Sequence, residues 1–355
     1  MESIVVTIYY ILFAFSFIYC MYFAITGLFG FKNYHKSMFG RHKAKYKFGV
    51  VIAGRNEEKV IGGLIKSLQK QHYPEHLFEI FVVPNNCTDR TEDVAREAGA
   101  TIIHCDVPVK QKGDALEDTF KKLVKREDID AFVVFDADNL VHPDFLARMN
   151  DALCEGVEVA QCFRDAKNMG DNWLTGSYTL FYFIQNFFFN RARMNYSGSA
   201  AINGTGFMVR KSVLQKYGFK TRTITEDSEF TGQCAIRGIQ VAFVEDAITY
   251  DEHPQSFWAS WKQRKRWTSG CLSCLQIYGG KLLKTFFKTG NIACFDMVMM
   301  YAAPLMVVLG FVLSVVLIAF HLLGVELFDF FSYLYASGIL FFIVFYLLNV
   351  AMNIF

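Results

Sequence analysis

Apolar positions in this chain follow two patterns. Three stretches carry no ionised side chain: between Glu2 and Lys32, between Asp296 and His321, and after Asp329. Each is long enough to cross a bilayer, which takes about 20 apolar residues at a rise of 1.5 Å. They predict membrane spans over 3–31, 297–320 and 331–355. The first far exceeds the roughly 7 to 15 apolar residues of a signal peptide and lacks a basic start, so it reads as a retained anchor. Between about residues 48 and 250 the pattern changes to short β-rich runs: "FGVVIA", "LFEIFVVP", "ATIIHC", "AFVVFDAD" and "EVAQCF". Helical patterns such as "EEKVIGGLIKSLQK" and "DRTEDVAREAG" separate them. Strands buried on both faces and alternating with helices predict an α/β domain over 48–255, with a mainly parallel sheet and right-handed crossovers.

Two further stretches are aromatic without being spans. "WLTGSYTLFYFIQNFFFNRARMN", 173–195, holds Gln185 and Asn186 and reads as an interfacial or buried helix beside the domain. "SFWASWKQRKRWTSGCLSCL" puts Phe257, Trp261, Thr268, Leu272 and Leu275 on one helical face, interrupted by Arg264. That pattern predicts amphipathic interface helices over 256–290, with "QRKRW" in a loop between two of them.

Composition agrees with a membrane protein that carries a soluble part: 53% of residues are hydrophobic, 37 are phenylalanine, and mean hydropathy is +0.22. Lys32, Lys36, Arg41, Lys43, Lys45 and Lys47 follow the first span with no acid among them. Basic residues mark the cytoplasmic side, so the α/β domain is expected in the cytoplasm, at the plasma membrane. The net charge of +2 does not point to nucleic acid, because the basic residues gather where anionic headgroups would attract them. Nine cysteines at irregular spacing read as free thiols, and "CLSC", Cys271 to Cys274, as one packed helix face.

Parallel sheets bind ligands beyond the carboxyl ends of their strands. "GRNEE" follows the first strand, "NNCTD" the second and "DADN" the fourth, with "KQKGDAL" adding cations. Three polar clusters on one rim suit an anionic ligand such as a nucleotide. Asp89 also suits a helix cap. In "DADN", Asp136 and Asp138 stand two apart, a spacing that faces one ion on extended backbone. Mg²⁺ or Mn²⁺ commonly binds through one or two carboxylates plus substrate phosphates.

Further on stand "TITED", 223–227, and "QRKRW", 263–267. An acidic pair, a second acidic motif and a Gln-Arg-x-Arg-Trp motif, ahead of hydrophobic spans, resemble the membrane-embedded processive family 2 glycosyltransferases, the cellulose, hyaluronan, curdlan and mixed-linkage glucan synthases. The resemblance implies a Rossmann-like GT-A domain that uses a UDP-sugar and Mg²⁺ or Mn²⁺. It implies Asp138 as metal ligand and Asp136 near the nucleotide. Asp227 becomes the general base, and Asn56, Glu57 and Lys112 fall in nucleotide-binding elements. Gln263 and Arg266 would contact the donor diphosphate, while Trp267 would stack on the acceptor sugar. "NGTGF", Asn203 to Phe207, would line the acceptor site. Asn85 departs from the pattern: relatives carry an aspartate there for the uracil ring, and an asparagine accepts only through its amide oxygen.

The expected reaction is inverting transfer, most simply of glucose from UDP-glucose, to the growing end of a β-linked polysaccharide fed through the bilayer. N-acetylglucosamine is the alternative sugar. Three spans are few for a channel, which points to a trimmed chain or to a homo-oligomer sharing one. The rival reading is a non-processive enzyme that adds one sugar to a lipid acceptor.

Overall fold

The structure, a computed structural model, describes residues 2–32, 38–196 and 198–322. Helix α1, Glu2–Leu28, leads into a short 3-10 turn, Phe29–Phe31. The chain then runs extended over the domain, where Asp151 accepts from the His42 N–H at 2.7 Å and Asn150 from the Lys45 N–H at 3.0 Å. It enters β1, Phe48–Gly54, followed by α2, Ile61–Leu68, β2, Phe78–Pro84, α3, Thr91–Glu97, and β3, Thr101–Ile102. Next come α4, Lys112–Leu123, β4, Ala131–Asp136, β5, Leu140–Val141, α5, Phe145–Cys154, and β6, Val159–Ala166. Helix α6, Trp173–Ile184, continues as a π-helical stretch, Gln185–Arg191, and α7, Ala192–Asn195. The domain closes with β7, Phe207–Arg210, α8, Lys211–Tyr217, α9, Glu226–Arg237, and β8, Val241–Asp251. Two long helices follow, α10, Phe257–Thr289, and α11, Ile292–Leu322.

The strands form one sheet in the order β3-β2-β1-β4-β7-β6-β8-β5. β1, β2, β3 and β4 run parallel, as do β6 and β8. β7 is antiparallel to both β4 and β6, and β5 to β8, so the sheet is mixed. Side chains of a strand alternate between faces. Accordingly Phe48, Val50 and Ile52 pack with Ile61, Leu64, Ile65 and Met149 on one side, while Val51 joins Phe81, Phe120, Phe207 and Phe230 on the other. Helices on both faces are the reason β1 is buried throughout. The fold is Rossmann-like GT-A.

Among the described residues two helices are long and apolar enough to cross a membrane, over Ile4–Phe31 and Ile292–Leu317. Only 11% and 17% of their most apolar stretches are buried, whereas a core helix of a soluble domain would be mostly covered. The second begins earlier than expected. Its first turn belongs to the domain: Asp296 pairs with buried Arg193 at 3.1 Å, accepts from Tyr196 at 2.9 Å, and accepts from Tyr22 of α1. The third expected span, 331–355, lies outside the described residues.

The loop expected at "QRKRW" is not there. Residues 257–289 form one helix, started by Ser256, whose hydroxyl accepts from the Ala259 N–H at 3.3 Å. No proline interrupts the stretch, and Gly270 is accommodated inside it.

Candidate functional site

Loops at the carboxyl ends of β1, β2 and β4 share one rim of the sheet. Asn56 (φ +60°) and Asn86 (φ +50°) take left-handed backbone, which asparagine tolerates better than most residues. The Asn56 side-chain amide oxygen accepts from the Thr88 N–H at 2.8 Å, tying the first loop to the second. Asp89 does the same from the other side. It accepts from the Thr91 N–H at 3.1 Å and hydroxyl at 2.5 Å, and from the Glu58 N–H at 3.2 Å. Asp89 therefore ties the two loops together, while the N-cap residue of α3 is Arg90. Asn85 is half-buried at the end of β2, its N–H donating to Gly54 at 3.0 Å. The Glu57 carboxyl is pushed up by burial and by Asp136 and Asp89.

Lys112, which opens α4, is the hub. Its ammonium pairs with Asp136 at 2.5 Å, donates to the Gly204 carbonyl at 2.7 Å, and lies 3.8 Å from Glu226. Burial opposes its charge, but the carboxylates of Asp136 and Glu226 hold it above its ordinary value. Gly113 must be glycine, since a Cβ there would meet the Thr221 hydroxyl at 2.3 Å. Gly204 (φ +82°) brings in the other acidic motif: its Cβ position is 3.2 Å from Asp227 Oδ2. Asp136, Glu226 and Asp227, some 90 residues apart in sequence, thus meet around one lysine.

Asp227 is half-buried in the first turn of α9, and Thr225 rather than Asp227 is the N-cap residue. Its Oδ1 accepts from the Ser228 N–H at 2.7 Å. Burial pushes its carboxyl up, against the pull of that hydrogen bond and of Lys112. The neighbouring Glu226 is pushed up to about 7 by burial and by Asp227. A carboxyl with raised affinity for protons in a half-buried site is chemically suited to accept one.

Asp138 lies past the end of β4, in a turn, so strand alternation does not align it with Asp136. The two carboxyls still feel each other. Burial first, then Asp251 and Asp136, push Asp138 up to about 7. Among the described residues no three His, Cys, Asp or Glu side chains form a metal cage. A carboxyl with carboxylate neighbours, Asp251 and Asp136, fits a hard divalent cation that takes its other oxygens from phosphate and water.

Sequence reading missed the support beneath Asp138. Asn139 donates to Asp251 at 2.7 Å, and Arg164 forms a buried ion pair with Asp251 while its guanidinium sits 4.1 Å above the Tyr182 ring. His253 stacks on Tyr178 and Tyr182, and burial lowers its imidazole to about 4. Arg164 and Asp251 sit on β6 and β8, and β8 was not among the expected strands.

The structure distributes the "QRKRW" residues along α10. Trp267 packs on Phe181 (6.2 Å, stacked) and Tyr178 (6.1 Å, edge-on), beside buried Tyr182. Gln263 is half-buried with its carbonyl oxygen unpartnered. Arg266 is exposed and forms no ion pair among the described residues, so it is not brought to Asp136 or Asp138 here. Exposed Phe257, Trp258 and Trp261 mark the outer side of the same helix.

A model described as "Glycosyltransferase like family 2" matches residues 45–270. Probable glycosyltransferase YdaM of Bacillus subtilis (strain 168) is 30% identical over 255 residues, 68% of this chain and 58% of its own length. Beta-monoglucosyldiacylglycerol synthase of Nostoc sp. is 25% identical over 264 residues, 72% of this chain and 56% of its own. This chain therefore spans a little over half of those relatives. Among solved structures, mannosyltransferase PcManGT from Pyrobaculum calidifontis, in complex with GDP-Man and Mn²⁺, superposes with a TM-score of 0.70 at 16% identity. That match covers 98% of this chain and 95% of the other.

Proposed function

The chain belongs to the family 2 glycosyltransferases, inverting hexosyltransferases, and from that premise we propose that it moves one hexose from a nucleotide donor to a lipid acceptor at the cytoplasmic membrane surface. The observation that carries the catalytic part is the meeting of Asp136, Glu226 and Asp227 around Lys112.

In this reading the acceptor hydroxyl attacks the anomeric carbon from the side of Asp227, which takes its proton. The nucleoside diphosphate leaves on the opposite side, and the linkage inverts from α to β. Asn56, Glu57, Asn85 and Asp136 hold the nucleotide, while Lys112 orients Asp136 and faces the donor. Asp138 would hold Mg²⁺ or Mn²⁺, which supplies positive charge against the leaving diphosphate. Gln263 and Arg266 would reach that diphosphate only if α10 shifts toward the rim. UDP-glucose is the donor we favour, and N-acetylglucosamine is the alternative sugar.

A lipid acceptor is favoured by the surroundings of the site. Trp173, Leu180 and Phe183 of α6 and Phe257, Trp258 and Trp261 of α10 are large apolar side chains left exposed. Such rings prefer the headgroup region. Helices α1 and α11 pack on each other, with Tyr19 donating to the Met299 carbonyl at 3.0 Å. The relative from Nostoc sp. is named for a glycolipid product. We accordingly divide the chain into a plasma-membrane anchor at 3–31, a catalytic domain at 48–255, interfacial helix 256–290 and a span at 297–320.

The second reading, processive synthesis of a β-glucan, is supported by the "QRKRW" motif and by Trp267 beside the aromatic cluster. It would need a lumen built from further spans or from several copies of the chain. The test is a donor screen on the protein in detergent with Mg²⁺ or Mn²⁺, following nucleoside diphosphate release and sizing the product. One sugar added to diacylglycerol or another lipid supports the first reading. A long glycosidase-sensitive polymer overturns it in favour of the second.

A further inference from the structure

Glu229 follows Asp227 by two residues on α9 and has no solvent exposure. Its carboxylate accepts four hydrogen bonds. Oε2 takes the backbone N–H groups of Arg222 and Thr223, each at 2.7 Å. Oε1 takes the Tyr278 hydroxyl at 2.6 Å and the Gln233 amide at 3.3 Å. A carboxylate kept only for charge balance would pair with a cation. Here two bonds instead fix the path of the turn that runs directly into Thr225, Glu226 and Asp227, and a third comes from another helix.

That helix is α10, which touches the same turn along one face. A Cβ on Gly270 would come to 2.2 Å from the Thr225 hydroxyl oxygen, Cys274 Sγ lies 3.6 Å from the Thr223 hydroxyl, and Tyr278 holds Glu229. Positions 270, 274 and 278 are successive turns of one helix stripe. The "QRKRW" residues lie on the same continuous helix, one to two turns earlier.

We propose that Glu229 is a positioning residue for Asp227, and that Tyr278 ties it to α10 so that the base and the helix carrying "QRKRW" are held in fixed register. The inference rests on the reading of Asp227 as the base. In chemical terms, Glu229 does not touch substrate. It sets the backbone from which Asp227 meets the acceptor hydroxyl, and a displacement near 1 Å there costs about 100-fold in rate.

The test uses the full chain in detergent with Mn²⁺ and the donor that the wild type turns over, UDP-glucose first. Turnover is expressed per nucleotide-binding site, which loss of folded protein does not change. Glu229→Gln places an amide NH₂ against groups that are themselves donors. It should lower kcat per site by about 10- to 100-fold with donor KM within about twofold. Tyr278→Phe removes a single hydrogen bond and spares the fold. It should lower kcat per site by about 3- to 10-fold. Wild-type kcat per site in Tyr278→Phe would refute the tie to α10, and wild-type kcat per site in Glu229→Gln, with only the melting temperature lowered, would make Glu229 a purely structural group; either result overturns the proposal. Asp227→Asn separates the two failures: retained turnover there refutes the base assignment, whereas a dead Asp227→Asn beside a fully active Glu229→Gln refutes only the positioning role.

Discussion

Replacing Lys112 by methionine keeps the length and apolar stem of the side chain and removes its charge. In the wild type that charge lies 2.5 Å from Asp136 and 3.8 Å from Glu226, close to Asp227. Removing one partner of a buried ion pair costs about 3–5 kcal/mol. The Lys112 and Asp136 side chains are 21% and 36% exposed, so solvent screening reduces the expected loss to ~2 kcal/mol. The pH dependence has a definite sign. Lys112 stays charged well above neutrality because its ammonium is held above the ordinary value, so its benefit requires ionised carboxylates. That benefit is present at high pH and fades as pH falls and Glu226, held near 7, takes up its proton. Lys112→Met should therefore lower the melting temperature by about 4–8 °C at about pH 8, at ~2–4 °C per kcal/mol for a domain of this size. At about pH 5 the loss should be smaller by the share that Glu226 contributes. Thermal unfolding of wild type and variant in detergent at both pH values measures this. An equal loss at the two values, or none at the higher one, would refute the reasoning.

Asp227→Asn should cut kcat by about 10²- to 10⁴-fold while nucleotide affinity, read by titration calorimetry, stays within about twofold. Gly270→Val forces a side chain to within 2.2 Å of the Thr225 hydroxyl oxygen and should lower turnover through the displaced acidic turn; unchanged kcat would show that α10 yields there freely. Because Asp138 is held at about 7, protons and metal compete for it. The Mn²⁺ concentration for half-maximal rate should rise roughly tenfold per pH unit below neutrality, and a flat dependence between about pH 5 and 7 would remove Asp138 from the metal site. Trp258→Ser together with Trp261→Ser should weaken lipid-stimulated turnover on phosphatidylglycerol vesicles and leave turnover of a detergent-dispersed acceptor unchanged, since both rings are exposed.

Residues that announce themselves by local pattern were legible in the sequence. β1, β2, β3, β4 and β6 were marked by apolar runs, and α2 and α3 by helical periodicity. Strand β7, Phe207–Arg210, has only four residues and owes its place to Gly204 and Gly206, whose positive φ turns the chain back between β4 and β6. Nothing local distinguishes such a strand from a loop. β8, "VAFVEDAITYD", is broken by Glu245 and Asp246, near the irregularity in its pairing with β6. In α10 the expected loop at "QRKRW" is helical, and the helix tolerates these charges because one side of it faces away from the domain. Motif residues Asp136 and Asp227 could be named from sequence, but the groups that hold them could not. Lys112 reaches Asp136 across 24 residues, Arg164 reaches Asp251 across 87, and Tyr278 reaches Glu229 across 49. Those pairings follow from topology.

The charge around the hub gives the chemistry its direction. Asp136, Asp138, Glu226 and Asp227 are grouped with Lys112, whose ammonium is already engaged by Asp136 and the Gly204 carbonyl. A nucleoside diphosphate brought to this rim meets more negative than positive charge, and Coulomb repulsion at such spacing is worth several kcal/mol at partly buried sites. Binding therefore needs positive charge from elsewhere. In the proposed reading a divalent cation on Asp138 would supply part of it and lower the cost of ionising that carboxyl. Under the proposed reading Arg266, exposed on α10 and without an ion pair among the described residues, would supply more of it once α10 moves toward the rim. Because the stripe at Gly270, Cys274 and Tyr278 rests on the acidic turn, such a movement cannot leave Asp227 where it was. In that proposal the position of α10 would bear on the placement of Asp227.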